Sequence, residues 1–192
     1  LGALKNTVVF VLVAVVLNIC ISTFLAVLIK SLRKKGARSF FRGWMFLPAV
    51  VPIVAVCYVW LIMFDPANGV LNQALMALGM DHPINWLNDP RTALFSIVLV
   101  TLWCDLGYNL VILMSGLDNI PNMFLEAAEI DGANSIQKFF KITLPLMSRN
   151  MLFVVIMTCI SYFQVFAQVQ IMTQGGPENH TNVIGLNIYN YA

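Results

Sequence analysis

Charge is what this 192-residue chain has least of: 10% of its residues are Asp, Glu, Lys or Arg, against about 25% in soluble domains. That scarcity argues against an ordinary soluble domain, and no nucleic-acid partner is expected. The four cysteines (Cys20, Cys57, Cys104, Cys159) lie singly inside apolar runs without C-x-x-C spacing. Neither a disulfide framework nor a metal site is therefore expected, and His82 and His180 are too far apart to change that. The phosphate-cradling pattern G-x-x-x-x-G-K-[ST] is missing, so Gly175-Gly176-Pro177 reads as a turn rather than a nucleotide loop. The apolar runs offer no convincing nucleophile–base pair, which counts against a membrane enzyme. The first run is too long for a cleavable signal peptide and lacks a cleavage site. No internal repeat or low-complexity tract is evident.

What is present is apolar sequence, 59% of the chain, gathered into long runs. A bilayer core of about 30 Å needs roughly 20 apolar residues in a helix, and only helices satisfy their own backbone in lipid among single spans. Four windows qualify: about 6–29, 43–64, 92–116 and 150–172. Pro48 and Pro52, one turn apart, predict a kink in the second. The outer segment 65–91 is rich in turn formers, with a short amphipathic helix expected from Val70 to Leu78, ending at Gly79. The fold class expected is all-α: a polytopic transmembrane helical bundle, one domain over 1–192.

Lys30, Arg33, Lys34, Lys35, Arg38 and Arg42 follow the first run, and Lys138, Lys141 and Arg149 follow the third. The remaining polar segments hold only Lys5 and Arg91. The positive-inside rule then places 30–42 and 117–149 in the cytoplasm and both chain ends outside. Trp60 and Trp86 are expected near the outer interface and Trp44 near the inner one.

The segment between the third and fourth runs carries the densest information. Pro121 suits a helix start, and 121–131 holds strong helix formers. Gly132 stops that helix cheaply. Asn134 or Ser135 can cap a second helix, with Ile136, Phe139 and Phe140 on one face and Gln137, Lys138 and Lys141 on the other. Pro145 is expected to end this helix before the fourth run. Glu126, Glu129 and Asp131 suit anionic lipid poorly, so a protein-docking loop is favoured over a helix pair lying on headgroups.

Glu126-Ala127-Ala128, three residues, Gly132, nine residues, then Ile142-x-Leu144-Pro145 closely resembles the loop that defines membrane subunits of ABC-type importers. Phe46-Leu47-Pro48, Asn85-Trp86-Leu87, Gly107-Tyr108-Asn109, Gly116-Leu117, Phe163-Gln164-Val165-Phe166 and Met172-Thr173-Gln174-Gly175-Gly176-Pro177 extend the likeness to carbohydrate-uptake permeases, the maltose and glycerol-3-phosphate transporter relatives. The resemblance implies that Glu126 to Gly132, with Asp131, Ile142, Leu144 and Pro145, forms a loop docking on a cytoplasmic ATPase subunit. It also implies a second permease subunit, an extracellular solute-binding protein, and ATP with Mg held by the ATPase and not by this chain. Such permeases usually have at least six spans, so this chain resembles a partial permease lacking the first and last.

Polar residues within the spans are costly unless they face the bundle interior or water. Asp105, Tyr108 and Asn109 share a helical face, and Ser161, Gln164 and Gln168 recur at i, i+3, i+7 beside Tyr162 and Phe163. Both sets fit the wall of a solute pathway, and both fit helix-packing hydrogen bonds. The reading that follows is a permease subunit of an ATP-driven importer for a sugar or sugar derivative, in a prokaryotic cell membrane. The alternative is an ATP-independent secondary carrier or channel with Asp105 as its coupling site.

Overall fold

The computed structural model describes residues 2–32 and 34–191; Leu1, Arg33 and Ala192, and with Arg33 one member of the first basic group, lie outside the described residues. Helix α1 (Gly2–Ser31) and helix α5 (Ala93–Asp118) are each long and apolar enough to cross a membrane, and they pack along one another. Between them run α2 (Lys35–Val50), α3 (Ile53–Met63) and α4 (Val70–Ala77). After α5 come α6 (Asn122–Ile130), α7 (Ser135–Lys138), a π turn (Phe139–Thr143) and α8 (Leu144–Leu146). The chain then forms α9 (Ser148–Phe163), α10 (Ala167–Met172) and α11 (Ile184–Tyr191). All these elements are helical, as the apolar runs predict.

The second and fourth windows are not straight spans. Helices α2 and α3 meet at 95° across Val51 and Pro52. Pro48 and Pro52 have no amide hydrogen to give, and the ladder is replaced by a tighter bond from Val51 N to Pro48 O at 3.2 Å. The fourth window ends early, at Phe163. Gln164 N and Val165 N turn back to Ser161 O and Tyr162 O, at 3.1 and 3.3 Å, before α10 restarts. Helix α11 lies close against this break: a Cβ on Gly185 would stand 2.9 Å from the Val165 carbonyl oxygen.

Pro145 does not end the second short helix. The backbone stays helical to Leu146 and turns at Met147, with 71° between the two flanking helical stretches. Pro145 instead fits the π turn before it: the missing N–H, and a ring that crowds the carbonyl four residues back, loosen the ladder around Lys141. Residues 35–42 of the basic segment are helical rather than loop, since α2 begins at Lys35.

Two apolar cores stack along the bundle. One gathers Phe10, Ala14, Cys57, Ile97, Val100 and Tyr162; the other gathers Ala26, Leu110, Leu113, Met147 and Val154, toward the end bearing the basic residues. Between them, at mid-length of α1, α5 and α9, lies a polar layer of Asn18, Ser22, Asn109 and Thr158, all buried. At the far end Asn72 is buried, although a polar loop residue is expected to face water. It accepts from Ile84 N at 3.1 Å and Trp86 Nε1 at 2.9 Å and donates to Ile84 O at 2.9 Å, closing segment 66–86 on itself. Trp60, Phe64, Trp86 and Trp103 cluster beside it, with ring centroids 5.2–5.8 Å apart.

Candidate functional site: a mid-bundle cavity and a projecting loop

Amides buried in an apolar bundle must find partners, and here they find one another. Asn109 Nδ2 donates to Asn18 Oδ1 at 2.7 Å and to Thr158 Oγ1 at 3.0 Å, while Asn18 Nδ2 donates to the Tyr162 hydroxyl at 2.8 Å. Three helices are thereby fixed in register at mid-depth. Asn109 is thus a packing residue, and it also lines a cavity. Asn18 is legible as a polar interruption of an apolar run, but Thr158 leaves no comparable mark.

Two cavities flank this layer. The larger, about 280 Å³, sits under the α2–α3 bend and is lined by Pro48, Thr101, Cys104, Asp105, Ser161, Tyr162 and Gln168 among others. The smaller, about 190 Å³, is lined by Asp105, Tyr108, Asn109, Thr158, Ser161 and Tyr162. Asp105, Ser161 and Tyr162 belong to both. The face carrying Asp105, Tyr108 and Asn109 therefore does border open space. The second stripe is only partly brought together: the break after Phe163 leaves Gln164 exposed and lining neither cavity, while Ser161 and Gln168 remain. A helical face cannot be read through a helix that stops.

The 121–147 segment projects from the basic end. Pro121 is the residue before α6, one position outside the expected start. Gly132 has φ +77, the left-handed backbone expected of it, and a Cβ there would meet nothing within 4 Å. Asn134 and Gln137 form a capping box, Asn134 Oδ1 accepting from Gln137 N at 2.8 Å and Gln137 Oε1 from Asn134 N at 2.9 Å. Lys138 Nζ reaches Glu129 Oε1 at 2.6 Å, bridging the bend. Sequence spacing does not mark Glu129 as part of the site, because a pairing across a glycine bend leaves no linear signature.

The loop's outward surface carries an apolar face flanked by charged residues. Met123, Ile130, Ile136 and Phe140 are 67%, 87%, 69% and 61% exposed, with Ala127 exposed between Met123 and Ile130 on the same helical face. Ala128 is buried, Glu126 and Asp131 are exposed, Ile142 and Leu144 are half-buried, and Pro145 is exposed. Neither ion pair among the described residues involves Glu126. The second pair, Lys30 Nζ to Asp118 Oδ1 at 2.6 Å, ties the end of α1 to the end of α5, where Lys30 also caps Leu117 O at 3.1 Å.

With this geometry in view, the family described as "Binding-protein-dependent transport system inner membrane component" matches residues 18–192. The chain belongs to that family. It is 37% identical to the lactose transport system permease protein LacF of Rhizobium radiobacter, over 98% of this chain and 63% of LacF. It is 36% identical to the probable ABC transporter permease protein YesP of Bacillus subtilis, over 99% of this chain and 61% of YesP. This permease thus spans about three fifths of the length of these curated relatives. Its fold matches a chain in the crystal structure of a bacterial alginate ABC transporter in complex with an alginate pentasaccharide-bound periplasmic protein. The TM-score is 0.87 at 23% identity, covering 98% of this permease and 66% of that chain.

Proposed function

We propose that this chain is the solute-channel portion of an ATP-driven importer for a sugar or sugar derivative delivered by an extracellular binding protein. The observation that carries the reading is the projecting loop: an apolar face on two short helices held rigidly by Gly132, a capping box and the Glu129–Lys138 pair. Apolar side chains held in water this way are the mark of a docking surface. The matching cleft is assigned to an ATPase subunit, which holds ATP and Mg. Segments 30–42 and 117–149 then face the cytoplasm. Closure of two ATPases moves the paired loops, the bundle opens outward, and solute passes the Asp105 cavities toward a second permease's half of the pathway. A carbohydrate solute is supported by what LacF is named for, and by hydroxyl and amide groups lining the cavities. Co-purification of the ATPase with the permease, together with binding-protein-dependent uptake into vesicles, tests the assignment. Uptake that follows an ion gradient without the ATPase would replace it with the secondary-carrier reading.

A further inference from the structure

The larger cavity holds one charged side chain, and it is negative. Thr101, Ser161, Tyr162 and Gln168 bring neutral hydroxyl and amide groups, and Asp105 brings a carboxylate. No Lys or Arg lines either cavity among the described residues. The chain's eleven Lys and Arg lie at position 5, within 30–42, at 91 and within 138–149, all toward the ends of the spans. Neither ion pair among the described residues involves Asp105. The backbone does not reverse the sign. The carbonyl end of α2 and the amide end of α3 meet at the bend beside the cavity, and their opposite partial charges offset one another. Tyr162, which accepts from Asn18, directs its hydroxyl hydrogen at Asp105, and Ser161 and Gln168 supply the donors left for a solute.

We propose that this cavity selects by charge: it admits neutral polyols and amine-bearing sugars and rejects solutes carrying a carboxylate or phosphate. The inference rests on the cavity being part of the solute pathway and adds a substrate class to it. Two like charges about 6 Å apart, at an effective dielectric constant of 20, discriminate by roughly a hundredfold, and no cation in the described wall offsets this. A neutral sugar loses nothing by comparison, since its hydroxyls find both acceptors and donors.

The test needs no knowledge of the natural solute. The full chain, assembled in its membrane with its partner subunits, has its four native cysteines replaced by Ala and carries Ser161→Cys, whose side chain lines both cavities. It is labelled with two small methanethiosulfonates of similar size, one bearing trimethylammonium and one bearing sulfonate. Each rate is normalised to that of free cysteine in solution. The expected result is a preference of at least about tenfold for the cation that collapses when Asp105→Asn is added and persists in Asp105→Glu. Equal normalised rates with Asp105 in place, or a preference indifferent to Asp105→Asn, would overturn charge selection and leave the pathway standing. If neither reagent labels Ser161→Cys while Leu78→Cys is labelled, the cavity is closed to water and the pathway reading itself fails.

Discussion

Asn109 and Asn18 meet side chain to side chain at 2.7 Å, joining α5 to α1 where the two apolar cores part. Each amide has a second partner, Thr158 for Asn109 and Tyr162 for Asn18. Each of the two amides is thereby bonded to both of the other helices.

Asn109→Leu removes a donor that serves two acceptors on two other helices. Interhelical hydrogen bonds in membranes average near 0.6 kcal/mol and reach about 1.7. The expected loss is about 1–2 kcal/mol, read from unfolding of the purified protein in mixed detergent. The double variant with Asn18→Leu should lose less than the sum of the two single variants. Additive losses would mean that the contact contributes nothing of its own.

At Gly107 the backbone of α2 crosses close over α5. A Cβ there would stand 1.9 Å from the Met45 carbonyl oxygen and 2.8 Å from the Phe46 Cα, so backbone would have to move. Gly107→Ala should cost about 1–3 kcal/mol by overpacking and reduce accumulation in the membrane. Gly43→Ala, where a Cβ would meet nothing within 4 Å, should not. Equal accumulation of the two variants, with equal melting temperatures, would contradict this close crossing of α2 over α5.

Orientation is open to chemical labelling in the cysteine-free background. Lys35→Cys at the start of α2 should react with a membrane-impermeant maleimide only from the cytoplasmic face. Leu78→Cys, at a residue 85% exposed beside Gly79, should react only from the outer face. Asn72 is unsuitable for this purpose because its side chain holds the outer segment together. Reversed labelling would turn the loop away from any cytoplasmic ATPase.

What is legible in the sequence is local. Gly132 needs a left-handed backbone, Asn134 caps a helix, and paired prolines bend one, each through its own covalent structure. Long apolar runs announce α1 and α5 through composition alone. What is not legible depends on partners distant in the chain. The break after Phe163 contains neither Pro nor Gly, and the residue tied to it is Gly185, on another helix. Thr158 reads as one more small residue until Asn109 is placed opposite it, and Glu129 as one more surface charge until the bend brings Lys138 within reach. The aligned stripe Ser161, Gln164, Gln168 is only partly brought together for the same reason, because its periodicity assumes an unbroken helix.

Coupling through the 121–147 loop is open to one paired measurement. A β-branched side chain at Gly132 must occupy φ near +77, at a cost of about 1–2 kcal/mol, or swing α7 away from α6 and part Lys138 from Glu129. Glu126→Lys reverses an exposed charge on the same surface. ATPase capture by wild-type, Gly132→Val and Glu126→Lys permease is measured beside solute uptake in the same vesicles. Both variants are expected to insert normally, retain less ATPase and lose solute-stimulated hydrolysis. Undiminished capture and uptake in both variants would contradict this, and the loop would not be the coupling element.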